Sequence, residues 1–204
     1  MARWQRSRYE RRSAPYESAL CQPGTHAPAA TPGLDELAAW RSAYANAADA
    51  SIGVLNDIIT RLSTAPGRVF LAFTPDHGEN LLDDARGLFG HAQRQPSPWD
   101  IRVPAVFWAN EAWRTAHPQA WQQLQRQARL PLMHADLVPT LLQAVGVQVQ
   151  DPRPQPLGLL GAPLGTRVRL VQTAVGSAVP YERLLEAVKP PVVPFSLETA
   201  PRRP

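Results

Sequence analysis

The chain has 204 residues, of which 44% are hydrophobic and 19% charged, so it is long enough for one compact domain and is not a highly charged disordered chain. The net charge of +4 resides in the tails, because residues 1–12 hold five Arg and one Glu and residues 202–203 add two Arg. The stretch between them has no basic excess, which argues against nucleic-acid binding. We expect no membrane span and no secretion signal in this sequence, since no apolar run approaches the ~20 residues that a bilayer span requires.

The residue pattern divides the chain into a basic, Pro-rich irregular arm at residues 1–33, a folded domain at 34–175 and a Pro-rich tail at 176–204. Apolar residues at spacings of three and four predict a helix from Leu34 that Pro66-Gly67 ends. The other predicted elements are, in chain order, a strand at 68–74, a strand at 101–109, helices at 111–129 and 134–146, a strand at 166–173 and a short helix around 181–188. Helices that alternate with short buried strands indicate an α/β fold with three layers and a mostly parallel sheet.

The residues after the first predicted strand carry the clearest chemical signal. Asp76 and His77 follow its carboxyl end, where open α/β sheets bind ligands, and their adjacent oxygen and nitrogen donors suit Zn²⁺ or Mn²⁺. Gly78 lets the backbone turn beside them. His91 follows in a long polar segment, where an imidazole could ligate an ion or, when protonated, hold an anionic group. Two adjacent donors and one loop histidine do not complete a metal site, and a simple turn capped by Asp76 accounts for the same residues.

Several short motifs follow one another in a characteristic order. They are Tyr-Ala-Asn at 44–46, Asp-His-Gly-Glu at 76–79, Leu-Phe-Gly-His at 88–91, Val-Pro at 103–104 and Asp-Leu-Val-Pro-Thr-Leu-Leu at 136–142. Over residues 40–147 this order resembles the C-terminal part of the sulfatase-like catalytic domain of the alkaline phosphatase superfamily. Within that superfamily it is most similar to the bacterial phosphoethanolamine transferases.

The resemblance implies an alkaline-phosphatase-like fold of which this chain holds the C-terminal part. It implies that Asp76 and His77 are metal ligands, with zinc preferred over manganese or calcium, and that His91 contacts the substrate phosphoryl group or a second metal. In such enzymes a Thr or Ser hydroxyl is the nucleophile. The resemblance further implies a phospholipid donor, lipid A or another glycan as acceptor, and an inner-membrane location with the catalytic domain facing the periplasm.

Departures from the family pattern qualify the expected activity. Ala45 stands where the transferases have an acidic residue, residues 89–91 change the Leu-His-Gly order, and the nucleophile and N-terminal acidic ligand of the family lie upstream of the matching region. Cys21 begins Cys-Gln-Pro-Gly-Thr, which matches the Cys-x-Pro-x-Arg motif of sulfatases at the first and third positions, but Thr25 stands in place of the arginine. We therefore expect an incomplete sheet that associates with another chain, such as its own missing N-terminal half, and little transferase activity from this chain alone.

Two other interpretations of the same residues stay open. One is a non-catalytic remnant or interaction module that keeps the fold and has lost the chemistry. The other is sulfatase or phosphoglycerol-transferase chemistry, which differs only in the substrate. An enzyme fragment is expected to bind zinc tightly when it is supplied with the missing half, and a remnant is not.

Overall fold

The computed structural model describes residues 34–91, 96–147, 158–173 and 176–188. The predicted arm and Cys21 lie outside these residues. The helices are α1 (Leu34–Ser63), α2 (Pro98–Ile101), α3 (Glu111–Ala116), α4 (Pro118–Gln127), α5 (Leu137–Ala144), which a 3₁₀ turn at His134–Asp136 precedes, and α6 (Tyr181–Glu186). The strands are β1 (Phe70–Phe73), β2 (Asn80–Leu81), β3 (Phe89–Gly90), β4 (Val106–Ala109), β5 (Leu170–Gln172) and β6 (Ala178–Pro180). Within the described residues, no helix combines the length and apolarity needed to cross a membrane.

The chain forms two compact units. The described residues of 34–50, 77–102 and 171–188 form the hairpin unit, named after the β2–β3 hairpin that it contains. The described residues of 51–76 and 103–170 form the core unit. The described strands form three two-stranded sheets, in which β1 pairs with β4, β2 with β3, and β5 with β6.

The core unit is built around an aromatic cluster. Strands β1 and β4 pair antiparallel, with Phe70 opposite Ala109. Trp113 of α3 is only 3% exposed, and its ring centroid lies 4.9 Å from that of Phe70. Its Nε1–H donates a hydrogen bond of 3.1 Å to the carbonyl oxygen of Ala144, so the one polar atom of this buried ring is satisfied. The other buried apolar residues of the cluster are Leu124, Leu159 and Leu160.

A single side chain connects the strands of the core unit to α3. Asn110 follows β4 and is the N-cap of α3, since its side-chain oxygen accepts from the amide of Trp113 at 3.0 Å. The same oxygen accepts from the amide of Val69, and the side-chain amide donates to the carbonyl of Gly67 at 2.8 Å. The buried Asn110 therefore fixes both the start of β1 and the start of α3.

The Asp-Leu-Val-Pro-Thr motif is bound into the fold of the core unit. Asp136 is 1% exposed, and its two carboxylate oxygens accept from the two terminal nitrogens of the Arg167 guanidinium. One of those oxygens also accepts from the amide of Met133 at 2.8 Å. Thr140 is fully buried, donates to the carbonyl of Asp136 at 2.6 Å and accepts from the amide of Leu159 at 3.0 Å. Both polar residues of this motif are therefore structural.

The predicted helices are confirmed, and one of them is divided. The helix expected at 111–129 is interrupted at His117, because Pro118 has no amide hydrogen to continue the ladder and instead occupies the first turn of α4. The mixture of helices and strands agrees with the predicted α/β class. The mostly parallel sheet is not present among the described residues, where β1–β4 and β2–β3 are antiparallel. Two neighbouring parallel strands are usually joined by a helical crossover. The segment between β1 and β4 instead contains the β2–β3 hairpin, and β1 and β4 pair antiparallel.

The buried ion pair gives a direct test of the core unit. Replacement by Arg167→Met leaves the buried Asp136 carboxylate without its cation, so we expect unfolding by urea to require about 3 kcal/mol less free energy. The matched change Arg129→Met removes an exposed arginine of the same unit and should leave stability unchanged. A loss below about 1 kcal/mol, the value typical of exposed ion pairs, would show that Asp136 is not held by Arg167.

Candidate metal centre

Three ligating side chains converge in the hairpin unit. His77, Glu79 and His91 each offer one ligand atom, and these atoms lie within 4.8 Å of one another. The imidazole centroids of His77 and His91 are 4.0 Å apart, with the ring planes tilted by 32°. The group joins two of the residues that the sequence singled out with one that it did not.

Strand register explains why Glu79 and His91 meet. In the antiparallel β2–β3 pair, Asn80 lies opposite Gly90 and Leu81 opposite Phe89. Glu79 precedes Asn80 and His91 follows Gly90, so the same register places these two side chains across from each other at the open end of the hairpin. The carboxylate oxygen of Glu79 accepts from His91 Nδ1 at 2.7 Å.

Two glycines bring the backbone to this geometry for different reasons. Gly90 has a φ of +75°, in the left-handed region that glycine adopts without strain, and it turns the chain directly before His91. Gly78 is needed for space, because a Cβ there would overlap the carbonyl oxygen of Trp99. The amide of Gly78 also donates to the carbonyl of Asp100 at 2.6 Å. The turn beside His77 is therefore a close approach of two backbone segments.

The hydrogen bonds of the two imidazoles assign their tautomers. His77 Nδ1 lies 2.8 Å from the carbonyl oxygen of Gly78, which can only accept, so Nδ1 carries the proton and the lone pair is on Nε2. The carboxylate of Glu79 likewise places a proton on Nδ1 of His91. Metal-binding histidines commonly donate their second ring N–H to a backbone carbonyl or a carboxylate. Both imidazoles have this arrangement.

The donor set fits a divalent transition metal. Two imidazoles and one carboxylate are the three protein ligands typical of catalytic zinc, whereas calcium prefers oxygen ligands alone. The side chains of His77 and His91 are 38% and 50% exposed and that of Glu79 is 19% exposed, so a substrate can approach the group from solvent. The residues present therefore fit a metal ion whose remaining coordination positions are open.

The negative charge of Glu79 affects two neighbouring titratable groups. Burial raises the pKa of the Tyr44 phenol, and the charges of Glu79 and Asp83 raise it further, so Tyr44 is a neutral hydroxyl at neutral pH. Burial also raises the pKa of the Asp100 carboxyl, with a smaller contribution from Glu79, while the backbone hydrogen bond from Ser97 opposes the change. The carboxylate of Glu79 therefore acts electrostatically on both Tyr44 and Asp100.

A buried polar network lies within the same unit. Asn80, Ser97 and Asp100 are each at most 4% exposed. The amide nitrogen of Asn80 donates to a carboxylate oxygen of Asp100, and the hydroxyl of Ser97 donates to the side-chain oxygen of Asn80. Ser97 also caps α2, because its hydroxyl oxygen accepts from the amides of Trp99 and Asp100.

Two of the three site residues predicted from the sequence, His77 and His91, belong to the His/Glu/His group. Asp76 belongs to the core unit and is not a member of that group, and its role as a ligand stays a prediction. Sequence reasoning missed Glu79 as a candidate ligand. Its position two residues after His77 in the same motif was a usable signal, because zinc is commonly bound by imidazole nitrogens and carboxylate oxygens.

Comparison with known proteins identifies the family of this chain. The sequence model described as Sulfatase matches residues 7–147, which is more than half of the chain. The chain therefore belongs to the sulfatase family, a member of the alkaline phosphatase superfamily. This family is generally metal-dependent, in agreement with the His/Glu/His group. No curated protein and no solved structure matches the chain significantly.

The raised pKa of Asp100 makes stability depend on pH. The folded chain holds this proton more tightly than the unfolded chain, whose carboxyl titrates near 3.8. The unfolded state therefore loses its proton first, and the contribution of Asp100 to stability falls as the pH rises from that value through the raised pKa of the folded state. The variant Asp100→Asn cannot titrate at this position and serves as the reference.

We expect the free energy of unfolding in urea of the wild-type chain, minus that of Asp100→Asn, to fall as the pH is raised from 3.5 toward neutrality (about 7). A difference that stays constant or grows with pH would contradict the assignment.

Proposed function

We propose that this chain is the metal-binding part of a zinc-dependent phosphoethanolamine transferase of the sulfatase family. The observation that carries the proposal is the convergence of His77, Glu79 and His91 in the hairpin unit, in a chain of that family. The motif order from Tyr44 to Thr140 supports the transferase over other members of the superfamily. The proposed donor is a phospholipid and the proposed acceptor is lipid A or another glycan at the periplasmic face of the inner membrane.

The side chains of the cluster have separable roles in this proposal. When bound, zinc neutralises negative charge on the transferring phosphoryl group and increases the acidity of a hydroxyl nucleophile. His77 binds through Nε2, since its Nδ1 proton is directed at the Gly78 carbonyl. Glu79 supplies the negative charge of the site and orients His91. His91 is the most exposed of the three, and it therefore meets the incoming phosphoryl group first.

The ligand Asp76 and the nucleophile complete the proposed site. The family resemblance proposes Asp76 as a further oxygen ligand beside His77. We propose that the nucleophilic Thr or Ser that the family resemblance implies belongs to the N-terminal half of the catalytic domain. Val138 of α5 and Val145, which directly follows this helix, are 61% and 73% exposed, and we propose that they pack against that half.

Zinc affinity tests the metal ligands. We expect the purified chain to bind one zinc ion, and Glu79→Gln, which keeps the size of the side chain and removes its charge, to weaken that binding at least about 100-fold. His77→Ala should do the same because it removes a ligand. The matched control is Glu186→Gln, which removes an exposed carboxylate at the end of α6 in the same unit and should leave zinc affinity unchanged. Affinity is measured by competition with a chelator, and equal zinc affinity in all of these variants would refute the site.

Two further variants decide the roles that the resemblance implies. Asp76→Asn should weaken zinc binding if Asp76 is a ligand. His91→Ala should weaken zinc binding if His91 is a ligand, as the cluster geometry favours. If His91→Ala retains zinc but loses affinity for phosphoethanolamine, then His91 is the phosphoryl contact instead.

Ligand preference distinguishes the alternative functions. We expect the zinc-loaded chain to bind phosphoethanolamine more tightly than glycerol 1-phosphate or sulfate, as measured by calorimetry. A preference for sulfate would favour a sulfatase, and a preference for glycerol 1-phosphate would favour a phosphoglycerol transferase. A folded chain that binds no zinc would support a non-catalytic remnant. Robust phosphoester turnover by this chain alone, lost in His77→Ala, would contradict the need for a separate nucleophile.

A further inference from the structure

We infer that Asn80 is a positioning residue for the metal centre, because its buried side-chain amide joins the hydrogen-bond network that restrains the backbone beside the three candidate ligands. The inference rests on the proposed function, because Asn80 would position ligands of the proposed metal site. Its effect on the placement of His77 and His91 can be tested in the metal-free chain.

The side-chain amide of Asn80 makes three hydrogen bonds, which use both of its N–H donors. The residue is 1% exposed. Its nitrogen donates one hydrogen bond of 2.7 Å to the carbonyl of Gly90 and a second to the carboxylate of Asp100. Its oxygen accepts from the hydroxyl of Ser97. One side chain therefore connects β2, the end of β3 and the first turn of α2.

The hydrogen-bond network around Asn80 reaches a residue next to each of the three candidate ligands, in one case through Asp100. Gly90 immediately precedes His91, and Asn80 itself follows Glu79. Asp100, which the Asn80 amide holds through its carboxylate, accepts through its backbone carbonyl from the amide of Gly78, the residue after His77. The network thus restrains the backbone at three points from which the three side chains extend.

The side chains of the cluster are 19–50% exposed, so packing restrains them less than it restrains the buried network. Strands β2 and β3 are two residues long each, and an isolated two-stranded hairpin is only marginally stable in water. In contrast, hydrogen bonds buried in a low dielectric resist distortion, since breaking one leaves an unsatisfied polar group. The geometry of the exposed ligands therefore depends on the buried network.

The substitution Asn80→Asp isolates this role. It preserves the shape of the side chain, abolishes both donated hydrogen bonds and places a second carboxylate against Asp100. The chain offers a matched control in Gln127, another buried amide, 2% exposed, which donates to the carbonyls of Leu159 and Ala162. Gln127→Glu breaks an equivalent network in the core unit. A general loss of stability should affect both variants, whereas loss of positioning should affect only Asn80→Asp.

The first measurement uses the metal-free chain. The ring centroids of His77 and His91 lie 4.0 Å apart, so their ring protons should give a strong nuclear Overhauser effect. We expect that signal in the wild-type chain and in Gln127→Glu, and its loss in Asn80→Asp. Ser97→Ala removes the hydrogen bond that the Asn80 oxygen accepts, together with the side-chain cap of α2, and introduces no charge. It should reduce the signal and serves as the test if Asn80→Asp does not fold. Retention of the wild-type signal in Ser97→Ala and in folded Asn80→Asp would overturn the inference.

The second measurement is Co²⁺ affinity and the visible spectrum of the Co²⁺-loaded chain. We expect Asn80→Asp to bind Co²⁺ about 10- to 100-fold more weakly than the wild-type chain, which is the usual effect of losing an outer-shell partner. Gln127→Glu should bind with wild-type affinity and an unchanged spectrum. If Asn80→Asp also binds with wild-type affinity, Asn80 does not position the ligands.

The two measurements separate the inference from the proposed function. If the wild-type chain binds no Co²⁺ while Asn80→Asp loses the histidine contact, the metal site is wrong and the positioning of the two imidazoles by Asn80 is right. If the wild-type chain binds Co²⁺ and Asn80→Asp changes neither the histidine contact nor the affinity, the metal site stands and the inference is wrong.

Discussion

The antiparallel register of two very short strands is the constraint on which the candidate metal centre depends. Because Asn80 lies opposite Gly90, the flanking Glu79 and His91 face each other, and a slip of one residue would turn their side chains to opposite faces. His77 enters the group through the close approach of Gly78 to Trp99, which only glycine permits. The chemistry of the site therefore depends on backbone geometry that lies one residue away from each ligand.

In the hairpin unit, the candidate metal ligands are partly exposed and the polar groups that support them are buried. The side chains that face solvent are those with donors for a metal, and the amide, hydroxyl and carboxyl groups of Asn80, Ser97 and Asp100 are buried and bonded to one another. Burial raises the pKa of Asp100, which shows the electrostatic cost of this arrangement. The sulfatase family to which the chain belongs is generally metal-dependent, and such a preorganised donor set is what a metal enzyme requires.

Sequence reasoning was most successful where the signal was long or ordered. The apolar period of the first helix predicted α1, the order of the motifs indicated the sulfatase family, and the Asp-His-Gly-Glu segment directed attention to His77. The hairpin was not predicted, because strands of two residues are too short for any alternation to appear. Without the register, nothing in the sequence placed Glu79 beside His91. The mostly parallel sheet was an inference from alternating helices and strands, whereas the pairs β1–β4 and β2–β3 are antiparallel. The long polar segment after β1 contains a hairpin whose two-residue strands the sequence did not reveal.

The central claim is that His77, Glu79 and His91 hold one metal ion. X-ray absorption at the zinc edge of the chain loaded with one equivalent of zinc tests it most directly, since imidazole rings give a distinctive multiple-scattering pattern. The account predicts two imidazole ligands at about 2.0–2.1 Å with light oxygen or nitrogen atoms completing the shell, and the loss of one imidazole in His91→Ala. A shell without imidazole scattering, or one that is unchanged in His77→Ala and His91→Ala, would contradict it.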